Sequence, residues 1–223
     1  MYDNIRKFVT YIFASNIPEA IPFIAFILFR IPLPLTVMQI LAVDLGTDLV
    51  PALVLRLEAP EPDVMQRPPR SRQERLLNGP TLLRAYAWLG MIEAALSLAG
   101  FFFVYWLTGW RPGQKMAASG ILYVTATTMS LAGIVASQIG NVFACRSERQ
   151  AIGQIGFTRN RTLLVGIGVE IALLLLLMDV PVFARTFGLA GLHWQHWCLL
   201  AAFGPVLLCL EEIRKMLSRK LRH

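Results

Sequence analysis

The sequence has 223 residues, of which 56% are hydrophobic and 16% are charged, and its mean hydropathy is +0.56. A chain of this length cannot bury so much apolar surface in one core, so the composition argues against a soluble protein and predicts an integral membrane protein. The net charge of +7 is compatible with nucleic-acid binding, but the basic residues cluster between apolar runs. We therefore expect a lipid bilayer, and no nucleic acid, as a partner.

Six apolar runs are long enough to cross a bilayer, which takes about 20 mostly apolar residues. In chain order they cover residues 8–29, 35–57, 84–107, 117–145, 162–182 and 197–213. The sequence therefore predicts an all-α fold, a polytopic membrane bundle of six transmembrane helices in a single transmembrane domain over residues 1–223. The first run contains Asn16, Pro18 and Glu19 and no small-x-small cleavage site, so we expect it to be retained rather than removed as a signal peptide.

The basic residues indicate the orientation of the bundle. If the N-terminus is cytoplasmic, all but four of the 21 lysines and arginines fall on the cytoplasmic side, the exceptions being Arg30, Arg111, Lys115 and Arg185. Positive charge accumulates in the cytoplasmic loops of membrane proteins. This asymmetry and the even number of spans predict that both termini are cytoplasmic.

The first span carries polar residues and prolines near its middle, in "SNIPEAIPF" (residues 15–23). Asn16 and Glu19 are three residues apart and share a helix face. Pro18 and Pro22 have no backbone N–H, so each leaves the carbonyl four residues earlier without its helical hydrogen bond. Broken helix at membrane depth is tolerated where it lines a cavity or an ion site.

The second span contains two acids, in "VDLGTDLVP" (residues 43–51). Asp44 and Asp48 are one helical turn apart and face the same side. The linker "RIPLP" is short, so the first two spans form an antiparallel hairpin and their polar clusters reach a similar depth. We therefore expect Glu19, Asp44 and Asp48 to converge near the centre of the membrane.

An ionised carboxylate at that depth costs at least about 2.5–3.5 kcal/mol, and neither cluster contains a lysine or arginine to offset the charge. A bound cation is the simplest counter-charge. The oxygen groups of Ser15, Asn16, Glu19, Asp44, Thr47 and Asp48 suit a hard cation, namely Na⁺, K⁺, Ca²⁺ or H⁺. The alternative is that the prolines only kink the helices, and that the acids are protonated and hydrogen-bonded to neighbours.

Polar residues in the later spans carry weaker signals. Gln138 and Asn141, three residues apart in the fourth span, either complete a cation site or serve as amides that hold helices together. Glu93 and Glu170 are isolated acids in the third and fifth spans, and we expect them to be paired or protonated rather than direct ligands.

Five motifs, in this order along the chain, resemble the C-terminal membrane domain of P-type cation-transporting ATPases. They are "SNIPE", "DLGTD", "DVMQRPPR", "GMIEA" and "EEIRK". The resemblance is to the branch with the sodium/potassium, gastric proton/potassium and calcium pumps, where these six helices are the fifth to tenth of ten. It implies a membrane-embedded domain that binds and transports cations, in a multi-pass protein of the plasma membrane.

The resemblance also implies a set of cation ligands. The matching positions are Ser15, Asn16, Glu19, Asp44, Thr47, Asp48 and Asn141. Gln138 stands where calcium pumps have a glutamate ligand, which argues against a complete two-calcium site. Asp44 and Ser15 resemble the sodium/potassium pattern, and the "RPPR" loop is similar to one that contacts the phosphorylation domain.

The motifs for ATP hydrolysis are missing from these 223 residues, which contain no "DKTG", no "TGE" and no Gly-Lys P-loop. We therefore assign no catalytic residue and no cofactor to the chain, and we expect ATP and Mg²⁺ to act only through domains outside it. The resemblance implies a truncated or split pump whose partner is a motor polypeptide with actuator, phosphorylation and nucleotide domains. The alternatives are a stand-alone ion channel or carrier that uses the same acids, and a non-functional remnant.

Overall fold

The computed structural model describes residues 2–58, 76–148 and 150–220, and throughout these residues the regular structure is helical. Five helical stretches in this part of the chain are long and apolar enough to cross a membrane. They are Tyr2–Phe29, Gly79–Leu107, Gly120–Cys145, Arg161–Asp179 and Trp194–Lys220. The all-α prediction is confirmed, and five of the six predicted spans correspond to these stretches. The "DVMQRPPR" loop lies outside the described residues.

The first span consists of two consecutive helices, α1 (Tyr2–Ser15) and α2 (Ile17–Phe29), which meet at Asn16. It begins six residues before the predicted start at residue 8. Pro18 lies in the first turn of α2, where a missing N–H is tolerated, and Pro22 lies inside α2. The helix is interrupted at the position that the prolines predict.

The second predicted span is divided into three short pieces, so it is not among the long continuous helices. Helix α3 (Val37–Ala42) begins with a capping box and is followed by a π-helical turn (Val43–Thr47) and by α4 (Leu49–Leu55). In the π-helical turn the N–H of Asp48 donates to the carbonyl of Val43 at 3.0 Å. Pro51 has no N–H to offer Thr47, which favours a break in the helix here.

The third span starts earlier than predicted, with a single turn, α5 (Gly79–Leu82). A π-helical segment (Leu83–Gly90) and then α6 (Met91–Leu107) continue it. The fourth span is α7 (Gly120–Cys145), close to the prediction, and a single turn, α8 (Ile152–Ile155), follows it.

The last two spans differ from the prediction at their ends. Helix α9 (Arg161–Asp179) stops before Pro181, which begins a separate short helix, α10 (Pro181–Phe187). Helix α11 (Trp194–Lys220) is longer than the predicted 197–213 at both ends, because its polar terminal turns do not carry the apolar signal that defines a span.

Helix α7 is the centre of the bundle. Most of its residues are buried, and it packs along α6 and α11. The backbones of α7 and α11 touch at Gly140 and Gly204, where a Cβ atom on Gly140 would lie 2.3 Å from the carbonyl oxygen of Gly204. Small residues allow such a close approach between membrane helices.

Buried ion pairs join the helices at one end of the bundle. Arg146 follows α7 and contacts Glu58, which follows α4, at 2.7 Å, with both side chains at most 5% exposed. Asn160, which caps α9, donates to the same carboxylate at 2.7 Å. In a second cluster Arg84 contacts Glu211 of α11 at 2.8 Å. These contacts fix the ends of the helices whose middles form the site described below.

Replacing Gly140 by alanine should destabilise the bundle, because the new methyl group meets backbone that cannot move aside without separating α7 from α11. We expect a loss of about 1–3 kcal/mol in the free energy of unfolding, measured by titration with SDS in mixed micelles. Gly168→Ala in α9, where a Cβ meets open space, is the control and should be neutral or slightly stabilising. Equal stability of Gly140→Ala and wild type would contradict the close backbone contact.

Replacing Arg146 by methionine should leave Glu58 buried without its cationic partner. We expect this change to cost about 3–5 kcal/mol in the same unfolding assay, and the double variant Arg146→Met/Glu58→Met to recover most of the loss. Arg185→Gln is the control, because Arg185 is exposed on α10 and has no ion pair among the described residues. It should cost no more than about 0.5 kcal/mol.

Candidate cation site

Asp48 occupies the centre of the candidate site, at the junction between the π-helical turn and α4. Its side chain is buried and is held from two directions. The hydroxyl of Ser15 donates to Oδ2 at 2.8 Å, and Nε2 of Gln138 donates to Oδ1 at 3.3 Å. The carboxylate therefore ties the first two spans to the central helix α7.

The interruption of the first span positions Ser15. Ser15 is the last residue of α1, and its hydroxyl also contacts the carbonyl of Ile12 at 3.0 Å. Pro18 cannot donate to the carbonyl of Ala14. That carbonyl lies directly against Gly90 of the third span, where an added Cβ would be 2.8 Å from it. The break in the helix is thus packed against a neighbour.

The other two acids of the hairpin lie near Asp48. Glu19 interacts electrostatically with Asp44 and Asp48. One oxygen of Glu19, Oε1, is buried and has no hydrogen-bond partner among the described residues. Asp44 itself is exposed on the surface of the bundle. Glu19 thus interacts with both aspartates, of which Asp48 is buried and Asp44 is exposed.

Two amides of α7, Gln138 and Asn141, reach the cluster from the central helix. Gln138 uses its amide nitrogen on Asp48 and leaves Oε1 buried without a partner in the described part of the chain. Asn141 accepts a hydrogen bond from the thiol of Cys145 at 3.3 Å, and its side chain lies beside Glu93. Both amides are fully buried.

Two predicted ligands are not directed into this cluster. The hydroxyl of Thr47 is buried and donates to the carbonyl of Val43, one turn earlier in its own helix, at 3.3 Å. Asn16 lies at the break between α1 and α2 and is exposed on the surface of the bundle.

Three buried groups that the sequence did not assign to the site also surround Asp48. Tyr11 of α1, Glu93 of α6 and Glu170 of α9 are completely buried, and each interacts electrostatically with Asp48. The only sequence signal for the two glutamates is an acid inside an apolar run. Tyr11 carries no such signal, since tyrosine is common in apolar helices.

The cluster contains several acids and no basic partner for them among the described residues. Its five acids are Glu19, Asp44, Asp48, Glu93 and Glu170, and within residues 2–58, 76–148 and 150–220 none of them forms an ion pair with a lysine or arginine. No three or more acids, histidines or cysteines in these ranges lie close enough together to hold a metal ion by themselves. A cation bound here needs amide, hydroxyl or carbonyl oxygens beside the acids, which is the ligand chemistry of hard cations.

Comparison with known proteins assigns the chain to a family. Residues 32–217 match the family described as "Cation transporting ATPase, C-terminus". The chain belongs to the P-type cation-transporting ATPases. It corresponds to their C-terminal membrane domain, and the resemblance carried by the five motifs is confirmed.

Two curated relatives show how much of such a protein the chain represents. They are the sodium/potassium-transporting ATPase subunits alpha-2 of Gallus gallus and alpha-3 of Homo sapiens. Each is 30% identical to the chain over 245 residues, which covers 99% of the chain and 24% of the relative. The chain thus spans about a quarter of the length of these P-type ATPase relatives.

Replacing Asp48 by asparagine should remove the central charge of the site. We expect the cation concentration that gives half of the maximal thermal stabilisation to rise about 10-fold or more, because a central ligand of the ion is weakened. The measurement is the melting temperature of the purified chain in NaCl, KCl or CaCl₂, against choline chloride at equal ionic strength. Asp179→Asn is the control, since Asp179 ends α9 and is exposed. Unchanged cation dependence in Asp48→Asn would contradict the assignment.

Proposed function

We propose that this chain is the cation-binding and transport domain of a P-type pump, and that ATP is hydrolysed by domains outside these 223 residues. The proposal rests on the environment of Asp48. This carboxylate is buried at the break of a membrane helix, and oxygen groups and further acids lie around it. Such a site has a high affinity for positive charge, because a cation offsets the cost of burying the acids. The ligands that we propose for this cluster are Ser15, Glu19, Asp44, Asp48, Gln138 and Asn141, whereas Asn16 and Thr47, which are not directed into it, stay predictions from the sequence.

The proposed topology has six membrane spans, with α3, the π-helical turn and α4 together forming the second. Both termini then lie in the cytoplasm. The concentration of basic residues supports this orientation. The ion-paired end of the bundle, where Arg84, Arg146 and Glu211 lie, would be the cytoplasmic end. We propose the plasma membrane as the location.

A movement of α1 would be transmitted to Asp48 through hydrogen bonds that α1 makes at both of its ends. Asn4, near the start of α1, donates to the backbone carbonyls of Arg56 at 3.0 Å and Glu58 at 2.7 Å, at the end of the second span. At the other end of α1, Ser15 holds Asp48. A displacement of α1 along its axis would therefore disturb the hydrogen bond on the central carboxylate, which is how we propose that a motor releases the ion.

The exposed polar residues of the first two spans support the proposal that another polypeptide covers this face of the bundle. Asn16 and Asp44 are exposed on the bundle surface in the middle of the first two spans. Facing lipid they would be costly, whereas a neighbouring helix with polar groups would satisfy them. We propose that this face is covered by the membrane helices of a motor polypeptide that carries actuator, phosphorylation and nucleotide domains.

The test is ATP-dependent ion uptake into membrane vesicles from cells that lack this chain and are complemented with variants of it. Vesicles with the wild-type chain should take up at least one of ²²Na⁺, ⁸⁶Rb⁺ and ⁴⁵Ca²⁺ when ATP is added. Asp48→Asn should reduce uptake at a low ion concentration by about 10-fold or more, and Asp179→Asn should leave it unchanged.

Two results would overturn the pump proposal. Flux through the purified chain in liposomes without ATP, abolished by Asp48→Asn, would instead support a channel or carrier. Vesicles whose ATP-dependent uptake of all three isotopes is the same with and without the chain would support a non-functional remnant.

A further inference from the structure

Arg6, in the second turn of α1, makes polar contacts with two other parts of the bundle. Its Nη2 donates to Oε2 of Glu148 at 2.6 Å, and its Nε donates to the hydroxyl of Thr81 at 3.2 Å. Glu148 lies three residues after the end of α7, and Thr81 lies in α5, at the start of the third span. These contacts tie the start of α1 to the ion-paired end of the bundle.

A second arginine lies within reach of Glu148. Nη1 of Arg84 is 3.9 Å from Oε1 of Glu148, the carboxylate oxygen that Arg6 does not use. The guanidinium group of Arg84 is already held by Glu211, at 2.8 Å, and by the carbonyl of Ala144, at 3.0 Å. Arg84 would therefore stay in place if Arg6 moved away, and Glu148 would keep a basic neighbour.

The contact between Arg6 and Glu148 differs in burial from the ion pair that holds the end of the second span. The side chains of Arg6 and Glu148 are 20% and 30% exposed, whereas those of Arg146 and Glu58 are at most 5% exposed. Separating a buried ion pair leaves a charge in apolar surroundings, whereas water can hydrate the charges of a partly exposed pair when they separate. The pair of Arg6 and Glu148 can therefore open and close at low cost.

Helix α1 connects this contact to the cation site. It is unbroken from Tyr2 to Ser15, so Arg6 and Ser15 lie about 14 Å apart along one helix. The hydroxyl of Ser15 donates to Asp48 at 2.8 Å. The position of α1 in which Arg6 reaches Glu148 is therefore also the position in which Ser15 reaches Asp48.

We propose that Glu148 is a positioning residue of the cation site, and that its contact with Arg6 is a reversible ionic latch on α1. When the latch is closed, it holds α1 where Ser15 contacts Asp48 and the cation is retained. When α1 moves, Arg6 leaves and Glu148 closes the remaining distance to Arg84. This inference rests on the proposed function, in which a displacement of α1 releases the cation, and it identifies a contact that sets how readily α1 is displaced.

The experiment measures the rate at which a bound isotope leaves the full 223-residue chain, purified in detergent. The chain is loaded with ²²Na⁺, ⁸⁶Rb⁺ or ⁴⁵Ca²⁺, and release into excess unlabelled ion is followed by rapid filtration. The latch variants are Arg6→Gln, Glu148→Gln, their double variant and Arg6→Lys, and Asp48→Asn reports on the site itself. Glu212→Gln is the matched control, because Glu212 is 24% exposed and contacts Lys215 at 2.9 Å, within α11.

Opening the latch should accelerate release. We expect Arg6→Gln and Glu148→Gln each to release the isotope about 2- to 5-fold faster than wild type, which corresponds to the strength of a partly exposed ion pair. The double variant should be no faster than the single variants, because both substitutions break the same contact. Arg6→Lys, which keeps the charge, should release the isotope more slowly than Arg6→Gln, and Glu212→Gln should release it as wild type does.

A purely structural role for Arg6 and Glu148 gives a different result. Substitutions that only destabilise the bundle lower the melting temperature in choline chloride and leave the release rate unchanged. That result would overturn the proposal. Two single effects that multiply in the double variant would overturn it as well, because they would not come from one shared contact.

The same measurements separate this proposal from the proposed function. If Asp48→Asn weakens binding of the isotope while Glu148→Gln releases it at the wild-type rate, the latch is overturned and the cation site around Asp48 stands. If the wild-type chain binds none of the three isotopes, both are overturned.

Discussion

The structure depends on a carboxylate, Asp48, that is buried in the helix bundle without a lysine or arginine among the described residues to neutralise it. Asp48 is held instead by the hydroxyl of Ser15 and the amide of Gln138, two neutral donors that fix its position and leave its charge uncompensated. Neutral donors are suited to a site that binds a cation reversibly, because they position the carboxylate without supplying a permanent positive charge. A permanent salt bridge would stabilise the acid but would compete with the cation that we propose to bind there.

Holding Asp48 in this way requires breaks in two membrane helices. Packing against the rest of the bundle offsets the hydrogen bonds that are lost at these breaks. The first span is interrupted beside Ser15 and the second beside Asp48, so both sides of their 2.8 Å contact come from irregular backbone. Irregular backbone at membrane depth survives only where protein surrounds it. Here Gly90 packs against the break in the first span, and the long central helix α7 supplies the amides. Buried ion pairs such as Arg146 with Glu58 fix the helix ends.

The distribution of charge divides the bundle into two functional regions. At the ion-paired end, arginines and glutamates are matched, and their contacts hold helices together. Around Asp48 the acids are unmatched, with buried oxygen atoms on Glu19, Glu93 and Glu170 that have no partner in the described residues. The first pattern is what stability requires, whereas the second is costly unless a ligand completes it. This contrast within one chain is the reason for placing the proposed cation site around Asp48.

Local pattern determined much of this protein. Apolar runs indicated the spans, prolines indicated where the helices break, and the "SNIPE" and "DLGTD" motifs indicated the family and the acids of the hairpin. These features depend on a residue and its near neighbours, so the sequence alone reveals them. The tertiary structure decided which polar groups meet. It turned Thr47 towards its own helix, left Asn16 and Asp44 exposed, and brought Tyr11, Glu93 and Glu170 to Asp48 from three separate helices. No local pattern contains that information, because the rotation and depth of each helix are set by its packing against the others.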